Sequence, residues 1–405
     1  MVTCIKYDEK LPFTTNMLRY HYQISEKRLH MTKIIIAVDS FKGSGTSEEI
    51  ANYIETGLQQ GNSQFEIEKV AIADGGEGTV SVVTDATHRE VYSKPVKNPF
   101  GEAVEAHWGL LDPQTAIIEV AQADGITLID GRLDVMRASS YGVGQQMLQA
   151  IDQGAKTIYV GLGGSASNDA GLGMLQALGA RFLDENAYLL EGVPTNLDQI
   201  NTIDTIQLER NLVGVQIIGL SDVTNPLTGK QGASYVFGPQ KGANEQQVVE
   251  LDEMIEKFAD QVAHGNHANE AGAGAAGGIG FALLAFCHAK IESGIQTVMK
   301  LIGLPDKLLT ADVVITGEGK IDGQSLGGKV PIGVAQLAKQ HQLPVIAITG
   351  SAGDEYQGAY QHGIDLVIPS VSRPMTVETA IQQTQRLVTQ AGRNAAQVIE
   401  LIENK

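Results

Sequence analysis

The chain has 405 residues, 43% hydrophobic and 19% charged, which supplies a large core and, at roughly 100–200 residues per domain, suggests two domains. A formal net charge of −18 argues against nucleic acid as a partner and obliges any phosphate site to bring its own cations or N–H donors. Cys4 and Cys287 make neither a disulfide framework nor a zinc spacing, and no apolar run reaches membrane-span length, so a cytoplasmic protein with no membrane contact is expected.

Residues 1–30 carry mixed charge and no period, and they lack a secretory apolar region. Met31-Thr-Lys-Ile-Ile-Ile-Ala-Val then begins like a buried parallel strand, so Met31 is expected to be the natural start and 1–30 an upstream extension. Strands and helices alternate from there. Ile34–Val38 predicts a strand and Thr46–Gly61 a helix opened by Thr46 or Ser47, with Glu48 and Glu49 in its first turn. Ile67–Ala73 predicts a second strand. Shorter alternating segments and turn signals over 91–119 predict antiparallel pairing. Helices are expected at 141–153, 169–178 and 245–263, and strands at 157–161, 180–183 and 215–220. Strands at 313–316, 345–349 and 364–369, with helices at 331–340 and 376–402, complete a βα pattern. The expected fold class is α/β, with two domains. One is a Rossmann-like parallel three-layer sandwich formed by 31–80 plus 291–405. The other, 81–290, is inserted and has a mixed sheet.

Glycines and acids gather just after strands, where open α/β sheets bind ligands. The first such loop is Asp39-Ser40-Phe-Lys42-Gly-Ser44, and the second is Asp74-Gly-Gly-Glu-Gly-Thr79, which sets two acids among three glycines. Gly161-Leu-Gly163-Gly164-Ser165-Ala-Ser-Asn168-Asp169 fits the G-x-G-x-x-A dinucleotide fingerprint, with Asp184 near the place of a ribose-binding acid. Gly272-Ala-Gly274-Ala-Ala-Gly277-Gly278 has the same form without a clear preceding strand, and close packing is its plainer explanation. Asp222 ends a further strand, followed by Thr224, Asn225 and, later, Lys241. Gly323 to Lys329 satisfies most of a Walker A pattern, but Val330 stands where Ser or Thr should bind Mg²⁺, which excludes a P-loop. The nine histidines are scattered, and no G-x-S-x-G elbow occurs.

Taken together, the loops resemble the bacterial glycerate kinase type-1 family. The matching stretches are Asp39–Ser44, Ala73–Thr79, Gly163–Asp169, Asp222–Pro226, Phe237–Gly242, Gly272–Gly278 and Ile315–Ser325, in the family's order across about residues 31–370. The resemblance implies ATP and Mg²⁺ acting on D-glycerate, with 2-phosphoglycerate favoured over 3-phosphoglycerate. On that basis Asp39, Lys42, Asp222 and Lys241 are expected to be catalytic, with Asp39 or Asp222 as general base. Asp74, Glu318 and Asp322 are expected to hold metal. Gly163, Gly164, Ser165, Gly274, Gly277 and Lys329 are expected to bind the cofactor, and Ser40, Asn168, Asn225, Gln324 and Ser325 the substrate. The rival readings are an NAD(P)-dependent oxidoreductase, resting on Gly161–Ala166 and Asp184, and a non-enzymatic sensor. Oligomeric state is open, a homodimer included.

Overall fold

A computed structural model describes residues 31–262, 267–323 and 325–403. The expected N-terminal extension and Gln324 lie outside these residues. Among the described residues no helix is long and apolar enough to cross a membrane.

The first sheet has five strands in the order β15-β13-β11-β1-β2. These are β1 (Lys33–Val38), β2 (Glu66–Lys69), β11 (Val313–Gly317), β13 (Val345–Thr349) and β15 (Leu366–Pro369). Every neighbouring pair is parallel. β1 and β11 are buried on both faces, as parallel strands under two helical layers must be. Ile35, Ala37 and Val314 face one apolar layer, under helix Val330–Gln340, while Ile34, Ile36 and Ile315 face the other. Helix Ser47–Gly61 starts where Thr46 and Glu49 form a reciprocal capping box. Its Ile50, Ile54 and Leu58 pack into the second layer with Leu387-adjacent Val388 and Ala391 of helix Thr384–Glu403.

The second sheet has six strands in the order β10-β9-β6-β5-β4-β3. They are β3 (Val91–Lys97), β4 (Ala103–Asp112), β5 (Thr115–Glu119), β6 (Thr157–Gly161), β9 (Gln216–Leu220) and β10 (Lys290–Glu292). β3, β4 and β5 pair antiparallel, whereas β5, β6, β9 and β10 run parallel. This is the expected mixed sheet, and the whole is a two-domain α/β architecture.

Three expected elements change. β2 leaves the ladder at Lys69, and the chain continues as coil towards Asp74 with Val70, Ile72 and Ala73 buried and Ala71 exposed. The expected terminal helix is two helices, Val377–Gln382 and Thr384–Glu403, where the Thr384 hydroxyl bonds back to the carbonyls of Ala380 and Ile381. The helix expected from Asp169 begins only at Leu172. Asp169 instead uses its carboxylate to collect the N–H groups of Gly171 and Gly173.

Candidate active site

Parallel strands deliver their C-terminal ends to one side of their sheet, so β1 presents Asp39 and β11 presents Glu318 at the first sheet, while β9 presents Asp222 at the second. The segment Asp74–Gly78, which follows β2, forms a seam with the chain at the ends of β6 and β9 and with Gly294. A Cβ on Gly75 would lie 3.2 Å from Leu220 and 3.3 Å from Gly294, and one on Gly163 would lie 2.4 Å from the Gly76 Cα. Only glycine allows backbone to approach this closely, which explains a glycine at Gly163 by packing between loops.

Burial, reinforced by smaller repulsion from neighbouring acids, raises three carboxyls at this seam. Burial pushes Asp39 up to about 6, and Asp74 adds repulsion, while the Ser40 N–H and Lys42 oppose the rise. Burial pushes Glu318 up to about 7; Ser325 and Lys329 oppose, and Asp39 and Asp322 reinforce. Asp222 is also raised, first by burial and then by Asp74, although it accepts from Ser293 Oγ at 2.7 Å and Ile295 N–H at 2.9 Å. Asp39 and Asp74, Asp39 and Glu318, and Asp74 and Asp222 therefore lie close enough to repel one another. Asp39 keeps one oxygen on the Ser40 N–H at 2.6 Å. Lys42 is exposed beside it.

A cavity of about 320 Å³ opens next to Asp222. Ser221, Thr224, Gln296, Gln336, Gly327 and Gly328 are among the residues that line it. The post-β9 loop and the Walker-like loop thus face each other. Lys329 stands at the N-terminal boundary of helix Val330–Gln340 without a side-chain cap and lies in the field of Glu318.

Other expected residues have different surroundings. Lys241 is buried and donates to Ser165 Oγ at 2.7 Å and the Ser167 carbonyl at 2.6 Å. Burial lowers Lys241, and the neighbouring Asp124 and Asp169 counter that shift. Asn168 is fully buried, donating to Ser234 Oγ at 2.9 Å. Asn225 donates to the Gln231 carbonyl. Asp322 pairs with Lys320 at 2.8 Å and accepts no place in a preformed metal cluster; among the described residues no three acids, histidines or cysteines form one. Ser325 is buried and its Oγ receives the Asp322 N–H. Gly274 and Gly277 face protein, since a Cβ on either would lie 2.2 Å from the carbonyl of Pro226 or Ser167. Their glycines are explained by that packing.

The dinucleotide reading loses its structural context. Gly161–Ala166 does not open a helix, because the next one starts at Leu172. Asp184 accepts from the N–H groups of Asn186 and Tyr188 in its own exposed turn.

Sequence reasoning missed Asp124, Glu119 and Ser293. Glu119 is buried and caps the start of helix Thr79–Thr87 through the Thr79 N–H at 2.8 Å. Burial pushes it up to about 7. Each lies outside a glycine-rich stretch, so no local pattern marks it.

Raised carboxylates set a sign for stability. Glu318 and Asp39 prefer protonation in the fold, so their contribution is fully present below their ordinary pKa values and is lost as pH rises through about 6 to 7. The ligand-free protein is expected to melt higher at pH 6 than at pH 8, and Glu318→Gln is expected to flatten that difference. Calorimetric scans of both proteins check it; equal slopes contradict it.

Relatives give the site its context. The model of the glycerate kinase family matches residues 34–400. A glycerate kinase of Halalkalibacterium halodurans is 42% identical over 373 residues, covering 91% of this chain and 98% of that protein. Glycerate 2-kinase of Escherichia coli is 42% identical over 374 residues, with the same coverage. A crystal structure assigned as glycerate kinase 2 from Salmonella typhimurium LT2 superposes with a TM-score of 0.79 at 40% identity, covering 93% of this chain and all of that one. The chain therefore belongs to the glycerate kinase family, phosphotransferases with an alcohol group as acceptor.

Proposed function

We propose that the chain transfers the ATP γ-phosphoryl group to D-glycerate with Mg²⁺, giving 2-phosphoglycerate, in the cytoplasm. The observation that carries this reading is the seam, where Asp39, Asp74, Asp222 and Glu318 influence one another beside Lys42 and Lys329. The name of the E. coli relative favours the 2-position. The boundaries at 80/81 and 290/291 belong to the same proposal, with β10 lying across the second.

The residues fit Mg²⁺. Among the described residues Glu318 Oε1 is buried without a hydrogen-bond partner, which leaves a carboxylate oxygen available. Mg²⁺ usually takes one or two carboxylates and completes its shell with phosphates and water, so a preformed cage is not required. Asp74 and Glu318 would hold it, with Asp322 nearby, and the ion would supply neutralisation of phosphate charge. Asp39 accepts the proton of the glycerate hydroxyl as its oxygen bonds to phosphorus and the bond to the leaving ADP oxygen breaks. Asp222, fixed by Ser293 and Ile295, orients the hydroxyl end of the substrate. Lys42 and Lys329 pair with carboxylate and phosphate, and Gly164 and Ser165 offer donors to an anionic oxygen.

A coupled assay tests this. ADP release should require both D-glycerate and Mg²⁺ and stop on chelation. ADP release that ignores glycerate, or reduction of NAD(P) by glycerate, would overturn it.

A further inference from the structure

A buried cation is bound to the glycine-rich loop. Lys241 is 3% exposed, and both of its hydrogen-bond acceptors, Ser165 Oγ and the Ser167 carbonyl, belong to that loop. Two buried carboxylates flank the group. Asp124 accepts the Ser167 N–H at 3.0 Å and the Ser167 hydroxyl at 2.5 Å. Asp169 accepts the Ser140 N–H and hydroxyl, both at 2.8 Å, with the N–H groups of Gly171 and Gly173.

An ammonium only donates, so Ser165 Oγ serves Lys241 as acceptor and its own proton is left for another partner. Ser165 keeps 7% exposure, and Gly164 beside it is exposed in the left-handed region at φ +76°. Neither Gly164 nor Ser165 gives its N–H to another backbone group among the described residues. Successive free N–H groups around a left-handed glycine form an anion-binding concavity. Burying one lysine and two aspartates is expensive, and apolar residues of similar volume often replace such groups without loss of stability.

We propose that Lys241 is a positioning residue that turns Ser165 into a one-way hydrogen-bond donor for an anionic ligand oxygen, with Asp124 and Asp169 holding Lys241 in place. The inference rests on the phosphotransferase reading above and deepens it. Lys241 acts through Ser165 and does not touch the ligand. The oxygen belongs to a nucleotide phosphate or to the glycerate carboxylate.

Calorimetric titration of the full chain with ADP and, separately, with D-glycerate distinguishes the two sources. Ser165→Ala and Lys241→Met are each expected to weaken one of these ligands by roughly 10-fold, since a hydrogen bond to a charged group is lost. The double variant should be no weaker than the worse single variant, because Lys241 works through the Ser165 hydroxyl. Ser165→Thr should restore affinity. Should Lys241→Met fail to fold, Lys241→Gln takes its place in the cycle, with a smaller expected loss because its amide can still donate to Ser165. Multiplicative losses in the double variant, or unchanged affinity for both ligands in Ser165→Ala, would overturn the proposal. Wild-type protein that binds neither ligand would instead defeat the phosphotransferase reading.

Discussion

Asp39→Asn is expected to lower kcat by about 10²–10⁴-fold, the usual worth of a positioned general base. The substitution keeps an oxygen for the Ser40 N–H and removes a charge that Asp74 repels, so melting temperature should hold or rise. A base must be ionised to accept a proton. With Asp39 pushed up to about 6 by burial first and Asp74 second, kcat/KM of the wild type should fall about tenfold per pH unit below that point. The Asn variant should lose this limb. A variant with near-normal kcat would remove Asp39 from the base role and leave Asp222 as the remaining choice.

Gly163→Ala should have the second largest effect. Its new Cβ would lie 2.4 Å from the Gly76 Cα and 3.3 Å from the Gly76 nitrogen, both backbone atoms that no rotamer change can move. The Asp74–Gly78 and Gly161–Ser165 loops must separate by the order of 1 Å, and a displacement of that size can cost about 10²-fold in turnover. The clash falls between two loops and not within a sheet, so the fold should survive. Parallel measurement of kcat/KM and far-ultraviolet circular dichroism checks this. Retained activity would show that the two loops need not touch.

Much of this arrangement was legible locally. The β-branched run Ile34–Val38 and the Thr46–Glu49 capping box each signal their element within a few residues, and both appear as expected. The seven motif stretches led to the family. What stayed hidden depends on distant partners. Ser293 reaches Asp222 from 71 positions away, and Lys241 reaches Ser165 from 76. Lys241 reads as a catalytic cation in sequence because nothing local reveals that it is buried. Gly161–Ala166 reads as a dinucleotide loop because spacing alone does not show that the following helix starts late, at Leu172. Gly274 and Gly277 satisfy the same spacing while meeting the carbonyls of Pro226 and Ser167.

The central claim is phosphorylation of glycerate at this seam. Incubation of the protein with ATP, Mg²⁺ and D-glycerate, followed by phosphorus NMR of the product, tests it most directly. ADP together with 2-phosphoglycerate is the expected result. Formation of 3-phosphoglycerate would contradict the assigned position, and no ADP or phosphoglycerate would contradict the claim itself.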